Sequence, residues 1–148
     1  MKTLIINFFL LLLISCNNST EIQNLTNQTI TPVLIGKSSI SNPEPPLQNT
    51  LIINQMQWNQ LLASLNAVNN VSINFTETNV DFNNYDVIAV FRNPILNSTS
   101  SIDITNVTEN QTNRIVTVQK LRDGISADVA QPFHIVKIPK STKPVVFQ

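Results

Sequence analysis

The side chains in this 148-residue chain that could do chemistry are one cysteine, Cys16, one histidine, His134, and a few carboxylates, of which Asp81 and Asp86 flank the start of an apolar run. A catalytic histidine needs an activated nucleophile and an orienting acid, or a metal with further ligands. His134 sits in QPFHIVKIPK, residues 131–140, where His134, Val136 and Ile138 alternate with Phe133, Ile135 and Lys137. That alternation predicts a strand in which the imidazole points the way two aliphatic side chains point. No second histidine exists for a zinc site. The serines and threonines lie in polar, low-complexity surroundings. A hydrolytic set would require Asp81, Asp86 and His134 to meet in space, and nothing in their spacing asks for it. These residues point to a half-buried, hydrogen-bonded structural histidine in a protein that is not an enzyme and uses no cofactor and no metal.

Cys16 has a different chemistry. The chain opens MKTLIINFFLLLLISC, with Lys2 before an unbroken apolar run from Phe8 to Ile14. A positive start, a short apolar core and a small residue before a cleavage point describe an export signal. The run is shorter than the roughly 20 residues that span a bilayer. Leu13-Ile14-Ser15-Cys16 resembles the lipobox of bacterial lipoproteins. The resemblance implies that the Cys16 thiol is lipidated, that the signal is cut before it, and that the new N-terminus is acylated. The competing reading is an ordinary signal peptide that contains a cysteine. An unpaired cysteine in an exported chain asks for an explanation, since no disulfide can form within the chain. Several acyl chains also anchor a protein stably where one would not. The expectation is a membrane-anchored lipoprotein of the bacterial cell envelope, in the outer membrane.

Charge excludes other partners. Nine Lys and Arg balance nine Asp and Glu, and only 12% of residues are charged, so nothing attracts nucleic acid. Asparagine carries the polarity. Asn-x-Thr triplets at Asn74 and Asn106 read as compositional accidents in a bacterial lipoprotein.

The elements that would position these residues begin after a polar, aperiodic stretch at 17–31, which reads as a flexible tether. Val33 to Ile35 is a short apolar patch, followed by Pro43, Pro45 and Pro46, which cannot sit inside a central strand. Thr50 to Ile53 is a short β-branched run. Trp58, Leu61, Leu62 and Leu65 then recur at helical spacing. Asn54 is placed to cap that helix and Gln57 to complete a capping box. The helical stripe makes Trp58 a core residue rather than a sugar platform. Strands are expected at Val71–Phe75, at Asp86–Phe91, at Ser101–Val107, at Arg114–Leu121 and at Phe133–Ile138. The run at Asp86–Phe91 is apolar throughout, as in a strand covered on both faces. Asp123-Gly124 reads as a hairpin turn leading to a strand at Ile125–Val129. Val145–Phe147 reads as an added edge. The fold class expected is α+β, with one N-terminal amphipathic helix followed by a small antiparallel sheet.

QPFHIVKIPK is similar to the strand that closes the C-terminal domain of the PrcB family, named for an accessory lipoprotein of a bacterial surface protease complex. INQMQWNQLL resembles that family's Trp-containing helix. VDFNNYDVIAVF resembles its stretch of aspartate-phenylalanine, tyrosine and buried strand, and SIDITNV and RIVTVQKL resemble the two strands that follow. The match spans roughly residues 50 to 140. The family's Gly-Gly-aromatic turn after the buried strand is missing, since Ser98, Thr99 and Ser100 stand there. The resemblance implies a partner or stabiliser of another envelope protein, a protease among the candidates, with identity unknown. The candidate contact loop is Arg92, Asn93, Pro94, Ile95, Leu96, Asn97, Ser98, Thr99 and Ser100. The alternative is a general ligand-binding or adhesive module, which an exposed apolar patch on that loop's side would favour. The chain is expected to divide into a signal at 1–15, a lipid-anchored tether at 16–32, a proline-rich lead-in at 33–49 and a PrcB-like domain at 50–148.

Overall fold

The computed structural model describes residues 27–41, 44–67, 69–96, 99–122 and 128–148. The signal, Cys16, the Asp123-Gly124 turn and Asn97 and Ser98 lie outside them. The strands are β1 (Gln28–Thr29), β2 (Val33–Ser41), β3 (Thr50–Ile52), β4 (Tyr85–Phe91), β5 (Ile95–Leu96), β6 (Asp103–Glu109), β7 (Arg114–Gln119), β8 (Val129–Pro139) and β9 (Val145–Phe147). One helix, α1 (Gln55–Leu65), follows β3.

The α+β expectation is corrected. The chain is mostly β, with nine strands in two sheets and one helix among the described residues, and that helix comes after three strands. A five-stranded sheet has the order β2-β8-β4-β3, with β5 also paired to β8, and a four-stranded sheet has the order β1-β6-β7-β9. The sheets are not wholly antiparallel, because β9 lies parallel to β7. Two strands lie in stretches without a strong alternating pattern. β1 falls in the stretch read as tether. β2 falls in the proline-rich lead-in, where KSSIS continues the apolar patch as an edge strand. The strand expected at 71–75 is instead a single 3-10 turn, Val71–Asn74. β7 and β8 belong to different sheets, so β7 pairs β6 and β9 and not the strand after the 123–127 segment.

The five-stranded sheet is the middle of three layers. Along β4 the side chains alternate between two cores. Val87, Ala89 and Phe91 pack with Trp58, Leu61 and Leu65 of α1 and with Phe133 and Ile135 of β8. Ile88 and Val90 pack with Val136 and Ile138 of β8 and with Ile102, Ile104, Val107 and Val116 of the second sheet. A strand covered on both faces has no polar face to display, which is why β4 reads as one apolar run.

α1 is fixed at both ends of its first turn. The Asn54 side chain accepts from the Gln57 N–H at 2.9 Å, and Gln57 Oε1 accepts from the Ile53 N–H at 3.0 Å. The capping box forms with its return bond one residue earlier than the usual N-cap N–H. Trp58 is fully buried, stacks on Phe75 at 6.3 Å between ring centres, and donates its indole N–H to the Thr78 carbonyl at 2.8 Å. Phe75 in turn meets Phe133 edge-on at 6.0 Å. Among the described residues no helix is long and apolar enough to cross a membrane.

Candidate functional site

His134 faces the space between the sheets, as the alternation of β8 requires. Its side chain is 13% exposed. Nδ1 accepts a hydrogen bond from the Ile104 backbone N–H at 3.0 Å. Ile104 stands at a register shift in β6, between Ile104 and Asn106, which helps free that N–H to reach across the sheets. An accepting Nδ1 leaves the proton of the neutral ring on Nε2. Burial lowers the His134 pKa, the Lys37 ammonium lowers it further, and the Asp103 carboxylate opposes them.

The carboxylates weighed for chemistry do not join it. Asp86 pairs with Ile138 while His134 pairs with Val90, four residues along β4, or about 13 Å. Asp81 accepts from the N–H of Asn83 and the side chain of Asn84 in the turn before β4. The carboxylate nearest His134 is Asp103, 3.8 Å from Nδ1. Asp103 cannot orient this ring as a catalytic acid does, because Nδ1 already accepts from the backbone and has no proton to give it. Lys37 instead donates to Asp103 Oδ1, and the Ser101 hydroxyl donates to Oδ2 at 2.9 Å. Burial pushes the Asp103 carboxyl up, but the bonds from Lys37 and Ser101 and the charge of Lys37 outweigh it and hold the carboxyl below its ordinary value. Among the described residues no cluster of His, Cys, Asp and Glu is placed to hold a metal ion.

Next to this polar cluster lies a cleft of about 540 Å³, within the size range of ligand sites. Lys37, Ser38 and Ser39 of β2 form one wall, and Thr99 to Asp103 the facing one. Leu121 and Arg122, after β7, complete the rim, and Phe133 lies at the base. The lining is rich in hydroxyls and carries one cation more than its anions, Lys37 and Arg122 against Asp103.

The expected contact loop meets this cleft only in part. Thr99 and Ser100 line it. Arg92 holds the rim together: its N–H reaches the Pro132 carbonyl at 3.0 Å, and its Nη1 reaches the carbonyls of Ser101 at 3.5 Å and Arg122 at 3.1 Å. Asn93 is exposed and Pro94 half-buried. Ile95 and Leu96 form β5 against Ala130 and Val129. Lys37, Ser38, Ser39, Ser101, Asp103 and Arg122 were not among the expected site residues. Their signal is the pair of serine-rich stretches KSSIS and STSS, which read singly as polar surface.

The cleft also has a place relative to the chain's entry. Gln28 of β1 pairs with Glu109, at the far end of β6 from Asp103. The described chain therefore enters about 20 Å from the cleft along β6. No protein-family model, no curated protein and no solved structure matches this chain.

Proposed function

We propose that this chain is a lipid-anchored protein of the bacterial envelope, held in the outer membrane through Cys16, whose sandwich binds another envelope protein without catalysing a reaction. The partner role follows the PrcB-like pieces of sequence, with a protease as one candidate partner. The observation that carries the binding role is the position of the cleft. It opens at the pole remote from Gln28, where the chain enters from the tether, so an anchored domain would turn the cleft away from the bilayer. The commitment of His134 Nδ1 to a backbone N–H supports the non-enzymatic part.

The test has two arms. Detergent phase separation should place wild type in the detergent phase and Cys16→Ser in the aqueous phase. Equal partitioning would refute the anchor. Capture from membranes should then recover a protein that Ser101→Tyr, which fills the cleft, no longer holds. A partner held equally by both would refute the cleft as its site.

One observation favours a general adhesive module. Leu96 and Val129 are cross-strand neighbours, 69% and 37% exposed, on the side of the expected contact loop. Leu96→Lys would abolish adhesion to apolar surfaces under that reading and leave capture by the cleft intact under the first.

A further inference from the structure

Three titratable groups meet where the two sheets join beside the cleft. Lys37 of β2 and His134 of β8 are cross-strand partners, so their side chains rise from the same face of the five-stranded sheet. Asp103 of β6 faces them from the second sheet. Its Oδ1 accepts from Lys37 and lies 3.8 Å from His134 Nδ1. Among the described residues the ring's other neighbours bring no charge. Val90 pairs with it from β4, Ile104 gives it a backbone N–H from β6, and Pro132 and Val136 flank it on its own face of β8. Lys37 and Asp103 line the cleft, and His134 stands behind them.

The second cation of the lining is Arg122, exposed on the rim. Its carbonyl accepts from the Ser101 N–H at 3.0 Å. Lys37 is therefore tied to one end of the Ser101–Asp103 wall, through the Asp103 carboxylate, and Arg122 to the other end, through its backbone. Next to Arg122 on the rim stands Leu121, 62% exposed. The mouth of the cleft thus sets a large apolar side chain beside a guanidinium, over a lining whose positive charge exceeds its negative charge by one.

We infer that the cleft takes one carboxylate carried on an apolar residue, the C-terminus of a partner polypeptide, and that a proton on His134 strengthens the grip. One carboxylate matches an excess of one positive charge, whereas a run of acidic side chains would press against Asp103. A chain terminus bears its carboxylate and its last side chain on one carbon, the pair of groups that Arg122 and Leu121 suit. Charge-assisted bonds from Lys37 and Arg122 would hold the carboxylate. The Ser101 hydroxyl donates to Asp103 and keeps lone pairs for a peptide N–H. Lys37 is the cation that must move, because Asp103 already holds it, and 41% of its side chain is exposed. A proton on His134 Nδ1 ends the bond from the Ile104 N–H, and Nδ1–H donates to Asp103 instead. Asp103 then has a new cation, and the Lys37 ammonium turns to the ligand. By linkage a bound carboxylate favours the protonated ring in the same measure. A sugar would want an open aromatic face, and Phe133 at the base is fully buried.

A terminal-carboxylate site rests on the binding role proposed above, and the test separates the two. The probes are an acetylated tripeptide ending in leucine, its C-terminal amide, a tripeptide capped at both ends with aspartate in the middle, acetate, and vesicles of phosphatidylglycerol. In NMR titrations of the Cys16→Ser protein, the free-acid peptide should shift the amides of Lys37, Ser101 and Arg122. The amide, the aspartate peptide and acetate should each bind about tenfold more weakly or worse. Arg122→Gln, on the exposed rim, should weaken the acid about tenfold and leave the amide unchanged. Affinity for the acid should rise from about pH 7 to pH 5, where its carboxylate stays ionised, and should stay level in His134→Gln. Saturating acid should also move the His134 titration to higher pH. Each readout compares two ligands, or two pH values, on one folded protein, so a loss of stability does not mimic it. Equal binding of acid and amide, of acid and aspartate peptide, or of acid and acetate would overturn the site. So would an acid affinity untouched by Arg122→Gln, a pH slope retained in His134→Gln, or vesicles that displace the peptide. A membrane protein that wild type captures and Ser101→Tyr loses, in a chain that binds no tripeptide, would sink the carboxylate site and leave the partner role standing. Tripeptide binding in a chain that captures no membrane protein would do the reverse.

Discussion

The imidazole of His134 and the backbone N–H of Ile104 are joined across the two sheets at 3.0 Å. His134 belongs to β8 in the middle layer and Ile104 to β6 in the outer one, so the bond joins the two sheets, as do the Lys37–Asp103 pair and the Arg114 bond to the Pro139 carbonyl. It requires an unprotonated Nδ1, since a proton there would face the amide proton. A residue that could have been catalytic is thereby fixed as part of the frame beside the cleft.

His134→Gln keeps an acceptor in reach but not the ring's shape. It should lower stability by about 1 kcal/mol, the usual net worth of one hydrogen bond. Capture of a partner at a temperature where both forms are folded should persist. A fully stable variant that has lost capture would return His134 to the binding site.

The same bond predicts a pH dependence. Burial and Lys37 hold the His134 pKa below its ordinary 6.5. The unfolded chain takes up a proton near that value while the folded chain resists it. Stability should therefore fall as pH drops through about 6.5 and level off below the folded-state pKa. Denaturant melts between about pH 7 and pH 5 should show the slope in wild type and lose it in His134→Gln. A slope unchanged in the variant would assign the dependence elsewhere.

Trp58→Ala removes the largest fully buried side chain of the helix-side core, together with its stack on Phe75 and its bond to Thr78. The cost should be about 3–5 kcal/mol, as for large aromatic truncations in cores. A near-unchanged denaturation midpoint would contradict the packing of α1 on the sheet.

Gly36→Ala tests a close approach. A Cβ at Gly36 would fall inside the Phe75 ring, which is wedged between Trp58 and Phe133 and cannot swing away freely. The variant should lose about 1–3 kcal/mol by overpacking. Pairing it with Phe75→Leu should recover part of that loss. Additive losses would mean the ring is not what excludes the methyl group.

How legible the molecule was depends on how many faces each strand covers. α1 was readable because one stripe is apolar and its cap residues are local, Asn54 and Gln57. β4 was readable because both its faces are buried. β2 was not, because an edge strand needs only alternate residues inside. Ile35 and Ile40 are its buried aliphatics, and Ile35 sits in the bulge between Leu34 and Gly36, which breaks their phase. The same strand carries half of the cleft, so the site was hidden with it. Val71–Asn74 misled for a related reason: Val71, Ile73 and Phe75 alternate with polar residues as one face of a strand would, yet Val71 is buried and Ile73 is 76% exposed, a difference that a 3-10 turn produces and a strand face does not. The division into two sheets was beyond local pattern, because β6, β7 and β8 all alternate and nothing in their sequences says which pairs with which.

Buried charges gather at the pole opposite the cleft. Arg114 is 4% exposed, donates to Glu109 at 2.6 Å and to the Pro139 carbonyl, and lies 4.0 Å from Asp86 Oδ2. Asp86 is 2% exposed; Oδ2 accepts from the Ser141 N–H at 3.1 Å, and Oδ1 has no hydrogen-bond partner among the described residues. Glu109 also receives Lys143 at 2.8 Å, and these two cations hold its carboxyl below the ordinary value. Removing the guanidinium would leave Asp86 buried beside no charge at all, while Glu109 would keep Lys143. Arg114→Met should therefore cost about 3–5 kcal/mol, the usual penalty for stripping one partner from a buried pair. Asp86→Asn keeps an acceptor for Ser141 and removes the stranded charge. The double variant Arg114→Met/Asp86→Asn should be more stable than Arg114→Met alone, since the two residues share one electrostatic balance. Urea melts of the three variants decide it. A double variant less stable than Arg114→Met would show that Asp86 is sustained by the Ser141 bond and its packing, and that Arg114 serves Glu109 and the Pro139 carbonyl only.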